Sequence, residues 1–205
     1  MGSSFVSVFQ RPGAPAARGK YLSRVFGIFS EEIVRLWASD SRCPYENLGR
    51  PTVRKRGERL GSTLDFTLRH RSTSKVYVAE LKCEIEYQNY RYLVLSDVAQ
   101  LAHHNKAAFL ALLDVASRKQ DRQTFVHRKE IQPDGAILIW GAATPEGREA
   151  VIRAYGFSDV LTMSDITRDL REWGNVPYRE LLTMRRAWAN EMFDALIPSA
   201  EPGGA

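Results

Sequence analysis

With 205 residues, 44% of them hydrophobic and 26% charged, the chain has the length and composition of one soluble globular domain with a sizeable core, and not of a disordered or fibrous protein. A net charge of +5 leans toward a polyanionic partner such as nucleic acid. There is no apolar run of 18 residues and no signal-peptide pattern, and two cysteines are too few for a disulfide framework, so a reducing cytoplasm is the expected setting.

Residues 1–18, with Pro, Gly and Ala from Arg11 to Arg18, read as a flexible arm; residues 19–197 read as a single domain and 198–205 as a disordered tail. A helix begins near Lys20. Leu22, Val25, Phe26, Phe29, Ile33, Leu36 and Trp37 fall on one face at the 3.6-residue period. Helical phase puts Glu31 nearly opposite that stripe and Glu32 at its boundary. Ser39 to Asn47 has the turn chemistry of a loop. Arg50, Arg54, Lys55, Arg56 and Arg59 then make a basic stretch, with a short strand around Thr52 and Val53. Such a stretch suits a phosphate backbone; its bland reading is a charged edge that blocks unwanted pairing.

Two apolar strands follow, Ser62 to His70 and Lys75 to Glu86, joined as a hairpin. The first carries Asp65 between Leu64 and Phe66. On the second, Glu80 and Lys82 project to one face and Leu81 to the other. Two carboxylates and an ammonium among apolar residues are costly to desolvate unless they pair or bind a cation. Cys83 is expected as a buried free thiol on this strand. Glu84 and Glu86 share the face of Glu80 and either extend the acidic cluster or point to solvent as the strand leaves the core. Tyr87, Tyr90 and Tyr92, interleaved with Arg91, either stack on bases or pack a strand end.

Ser96 to Ser117 reads as one long helix capped at Ser96. No Cys/His zinc spacing appears, and the histidines, His70, His103, His104 and His127, read as structural or surface residues. Arg118 to Lys129 reads as a polar, basic connection. Ala136 to Trp140 is a continuous apolar run, the pattern of a strand buried on both faces. Pro145 to Tyr155 is a helix stopped by Gly156, Val160 to Thr162 a short strand, and Ser164 the cap of a helix over Asp165 to Trp173. The last helix spans Tyr178 to Leu196. Its Leu181, Leu182, Met184, Trp188, Met192 and Phe193 either close the core or form a homodimer contact. Alternation of strands and helices in the second half predicts an α/β fold, a mixed central β-sheet with helices on both faces.

At Asp65, a spacer and Glu80-Leu81-Lys82, the chain resembles the PD-(D/E)xK nuclease superfamily, and the order of elements over about residues 20–173 resembles its restriction-endonuclease-like core. Leu64 stands where the family often has Pro. The resemblance implies a metal-dependent deoxyribonuclease in which Asp65, Glu80 and the Leu81 carbonyl hold Mg²⁺, or Mn²⁺ in its place. Lys82 would manage the attacking water, and Glu32 (or else Glu31) would add a carboxylate. Relatives resembling the RecB and lambda-exonuclease group place a Gln near the site on the following helix. Gln100 falls there, in the second shell, although His104 stands where that group has a Tyr. DNA is the implied partner, cut by a small restriction-type or structure-selective enzyme. The rival readings are a nucleic-acid-binding protein that keeps the fold without cutting, and an interaction protein in which Glu80 and Lys82 are only a surface ion pair.

Overall fold

The computed structural model describes residues 5–9, 21–82, 85, 87–88 and 90–196. The expectations for Cys83, Glu84 and Glu86, for most of the arm and for the tail fall outside these residues. Five residues of the arm, Phe5–Phe9, form a helical turn (α1) whose Phe5 and Phe9 rings pack on Phe26.

The fold is mixed α/β, built on a five-stranded mixed sheet. Its strands are β1 (Tyr45–Asn47), β4 (Phe66–His70), β5 (Val76–Lys82), β9 (Gly135–Trp140) and β11 (Asp159–Thr162), in the order β1-β4-β5-β9-β11. β1, β4 and β5 are antiparallel; β5, β9 and β11 run parallel. All six residues of β9 are buried, as its unbroken apolar run requires. Alternation along the strands divides the core into two layers. Val78, Leu138, Trp140 and Val160 pack on α3 (Ala107–Ala116) and α4 (Pro145–Tyr155). Leu68, Ala79, Ile137 and Ile139 pack on α2 (Tyr21–Ser39) and α5 (Met163–Glu172).

A second sheet, antiparallel throughout, has the order β3-β2-β7-β8 and comprises β2 (Pro51–Lys55), β3 (Ser62–Thr63), β7 (Arg122–Val126) and β8 (Lys129–Ile131). In the sequence β2 was expected and β3 was read as the start of a longer strand, whereas β7 and β8 were not expected. The segment read as a connection, Arg118 to Lys129, is largely a hairpin. Thr124 and Val126 turn inward with Val53, while Gln123 and Phe125 turn outward. The expected single strand from Ser62 to His70 is two. The chain leaves the small sheet after Thr63, bends at Leu64-Asp65 and enters the large sheet at Phe66. Leu64 consequently points into one core layer and Phe66 into the other, which an unbroken strand would forbid.

The expected long helix after Ser96 is also interrupted. A 3-10 turn, Val98–Leu101, precedes α3, and Asp97, not Ser96, caps it by accepting from the Ala99 amide at 2.7 Å. Thr162 caps α5 in place of Ser164, its hydroxyl accepting from the Asp165 amide at 3.0 Å. Gly156 ends α4 with φ of 75°, the left-handed stop its sequence announces. Cys43 is a buried free thiol, its pKa pushed up to about 12 by burial. Among the described residues no helix is long and apolar enough to cross a membrane.

Candidate active site

Strand alternation sends Val78, Glu80 and Lys82 to the α3 side of the large sheet. Glu80 is 4% exposed. Its Oε1 accepts from Lys82 Nζ at 2.5 Å, and that ammonium also lies 3.4 Å from the Leu81 carbonyl. The bend between the sheets delivers Asp65 to the same place. Asp65 Oδ2 accepts from the Leu81 amide at 2.9 Å, where β4 has not yet begun and the β5 amide has no strand partner on that side. Arg50 reaches in from the start of β2, its Nη2 lying 3.5 Å from Asp65 Oδ1 and its Nε donating to the Leu64 carbonyl at 3.4 Å. Arg50, Asp65, Glu80, Lys82 and the Leu81 carbonyl thus converge where the two sheets meet.

Burial pushes the Glu80 pKa above its ordinary range. The Lys82 ammonium opposes that rise, and the neighbouring Asp65 carboxylate reinforces it. Glu80 Oε2 is buried and, among the described residues, accepts no hydrogen bond. A buried carboxylate oxygen without a donor is costly, and a cation removes the cost. The pair is under-neutralised in this environment, and its donors are hard oxygens, the kind Mg²⁺ takes. Among the described residues no three Asp, Glu, His or Cys side chains come together as a metal-binding group. Two carboxylates with a backbone carbonyl suffice for Mg²⁺, which keeps several positions for water and phosphate oxygens. No family model, curated protein or solved structure matches this chain significantly.

The other sequence candidates separate. Glu32 does not join the site. α2 lies against the face to which Ala79 points, whereas Glu80 and Lys82 point to the opposite one, and Glu32 Oε2 accepts from Arg185 at 3.3 Å. Glu31 pairs with Arg35 at 2.8 Å. Gln100 is buried, but its bonds are local. Its Oε1 accepts from the Ser96 and Asp97 amides at 2.7 and 2.8 Å, and its Nε2 donates to the Arg91 and Val94 carbonyls at 3.1 and 3.0 Å. Gln100 therefore fastens the loop before the 3-10 turn and is not a second-shell residue of the Asp65–Glu80 pair. Tyr87 and Tyr92 pack on each other and on His103, centroids 4.7–4.8 Å apart, so these aromatics bear out the packing alternative.

The basic stretch divides across the small sheet. Arg50, Arg54 and Arg59 line a cleft of about 340 Å³ on its outer face, together with Thr52, Phe125, His127 and Arg128. Arg56 belongs to a different hollow, beside Arg118, Lys119 and Arg122, and Lys55 is exposed on the face opposite Arg54. Arg128 was expected only as part of a basic connection, His127 as a structural or surface residue and Phe125 not at all, because the hairpin that presents them was not recognised.

Proposed function

We propose that this chain is a Mg²⁺-dependent endonuclease of the restriction-endonuclease-like, PD-(D/E)xK kind, hydrolysing DNA phosphodiester bonds. One observation carries the reading. A buried carboxylate with an orphaned oxygen, Glu80, stands beside Asp65 and Lys82, and Arg50 joins Asp65 to an arginine-lined cleft. Asp65, Glu80 and the Leu81 carbonyl would hold the ion. When bound, Mg²⁺ (or Mn²⁺) polarises the scissile phosphate and lowers the pKa of an attacking water. Lys82, fixed by Glu80, orients that water and offsets charge growing on the phosphorane-like transition state. Arg50 presents its guanidinium to the phosphate next to Asp65.

The direct test is cleavage of plasmid and phage DNA with Mg²⁺, wild type beside the Asp65→Ala/Glu80→Ala double variant. Wild type should cut, and both excess chelator and the double substitution should abolish cutting while DNA binding persists. Cleavage that survives either treatment would remove the mechanism. Binding without cleavage by the wild type would favour the rival, a binding protein that keeps the fold.

Cutting both strands of a duplex calls for two sites of opposite polarity, which a twofold homodimer supplies. α6 (Val176–Leu196) supports that arrangement. Leu181 closes the core, whereas Leu182, Met184, Trp188, Met192 and Phe193 are exposed, Trp188 at 65%. Sedimentation of the wild type should give a dimer, and Trp188→Asp a monomer. A monomeric wild type at micromolar concentration would exclude this interface.

A further inference from the structure

The outer face of the small sheet has a composition that packing does not explain. None of the described residues lining its cleft is acidic, and four are arginines. The Arg54 guanidinium lies 4.1 Å from the Phe125 ring centroid, which holds that cation against the sheet at low cost in solvation. His127 and Arg128 are the two central residues of the turn joining β7 to β8, since Val126 pairs with Lys129. Both have positive φ, 48° and 68°. A two-residue hairpin of this kind favours Asn-Gly, because side chains with a bulky Cβ substituent resist that backbone. Here two large side chains occupy it, and both line the cleft. Backbone held in a disfavoured conformation, with its side chains directed to a charged cleft, points from strain to function.

The same turn is built against the candidate site. A Cβ on Gly49 would lie 2.8 Å from His127 Nε2, so the absent side chain at 49 is what admits the imidazole. Gly49 has φ of 111°, and the next residue is Arg50, which lines the cleft and also meets Asp65. Arg128, His127, Arg54 and Arg50 therefore line one cleft, and Arg50 connects it to Asp65 of the candidate site.

We propose that this cleft is the binding track for the phosphodiester backbone leading to the scissile bond, with His127 and Arg128 of the β7–β8 turn as its outer phosphate contacts. The proposal deepens the nuclease reading and rests on it for the polyanion's identity. The turn gives up its preferred Asn-Gly for two phosphate ligands, and Arg50 hands the backbone on to the site.

The test separates folding from binding. His127→Asn/Arg128→Gly installs the favoured turn, so its thermal midpoint should equal or exceed that of wild type. Its affinity for a fluorescein-labelled duplex oligonucleotide, read by anisotropy in chelator, should fall about tenfold or more, with the salt slope reduced by roughly one to two. Arg54→Ala should also weaken binding, and Asp65→Ala should not. Unchanged affinity and slope in the turn variant would overturn the proposal, even if the wild type proves to be a nuclease. Weakened binding with no Mg²⁺-dependent cleavage by the wild type would leave the track standing and remove the nuclease reading. No duplex binding by the wild type would overturn the track itself.

Discussion

Lys82→Met is expected to reduce Mg²⁺-dependent cleavage on the order of a thousandfold, the range in which a positioned proton-handling group contributes. DNA affinity should stay near the wild-type value, because the Lys82 side chain is only 17% exposed and does not line the arginine cleft. Met keeps the length of the side chain, so a packing defect is not the cause. The variant also deprives Glu80 of the ammonium that donates to its Oε1. Removing one member of a buried pair costs about 3–5 kcal/mol when the other stays charged. Protonation of Glu80 limits that loss, so it should shrink as pH falls. Single-turnover cleavage and urea unfolding read the two effects separately. A variant that unfolds more easily yet cleaves at the wild-type rate would reduce Lys82 to a structural counter-ion.

That measurement also bears on the surface-ion-pair reading of these residues. An exposed pair is worth roughly 0–1 kcal/mol. Glu80 is 4% exposed and the Lys82 side chain 17%, so the pair is not on the surface, and the mildness expected of a surface pair does not apply.

What the sequence revealed and what it hid follow from where each signal resides. β9 and α4 were legible because their determinants are local: an unbroken apolar run, a proline at the first helical turn and a glycine stop. Glu80 and Lys82 were placed together by strand alternation alone. Asp65 was expected inside a strand and sits at a bend, because the transfer between two sheets leaves no mark in a stretch as β-prone as Ser62 to His70. The β7–β8 hairpin was hidden by its polar side chains. Arg122, Gln123 and Lys129 make it look like a loop, while the alternation of Thr124 and Val126 against Gln123 and Phe125 is only two periods long. Its turn carries no Gly or Asn to announce it. Glu32 was misplaced for a different reason. Helical phase ranks residues around one axis but does not say which face of the sheet that helix will cover. Gln100 had the right neighbourhood in sequence, yet local hydrogen bonds from Ser96 and Asp97 and to Arg91 and Val94 claim its amide.

Glu80 also sets the pH behaviour of the metal-free protein. Its folded pKa lies above the ordinary value of 4.5, chiefly through burial, so the folded state holds that proton more tightly than the unfolded chain. The stabilisation is full below 4.5 and is lost as pH rises through the folded pKa. Glu80→Gln, a neutral isostere, should remove this slope. In chelator, wild type should therefore lose stability relative to Glu80→Gln as pH rises above 4.5 and through the folded pKa of Glu80. Mg²⁺ should reverse the order. An ion that needs the ionised carboxylate competes with its proton, and a ligand at a hundred times its Kd adds about 2.7 kcal/mol. Wild type should gain most from Mg²⁺ at mildly alkaline pH and least near the ordinary carboxylate pKa, while Glu80→Gln gains little at either. Thermal midpoints across pH, with and without Mg²⁺, read all four conditions without any nucleic acid present. Parallel pH profiles for the two proteins would show that Glu80 does not carry the buried charge. A Mg²⁺ response surviving in Glu80→Gln would place the ion elsewhere, and with it the chemistry proposed for Asp65 and Lys82.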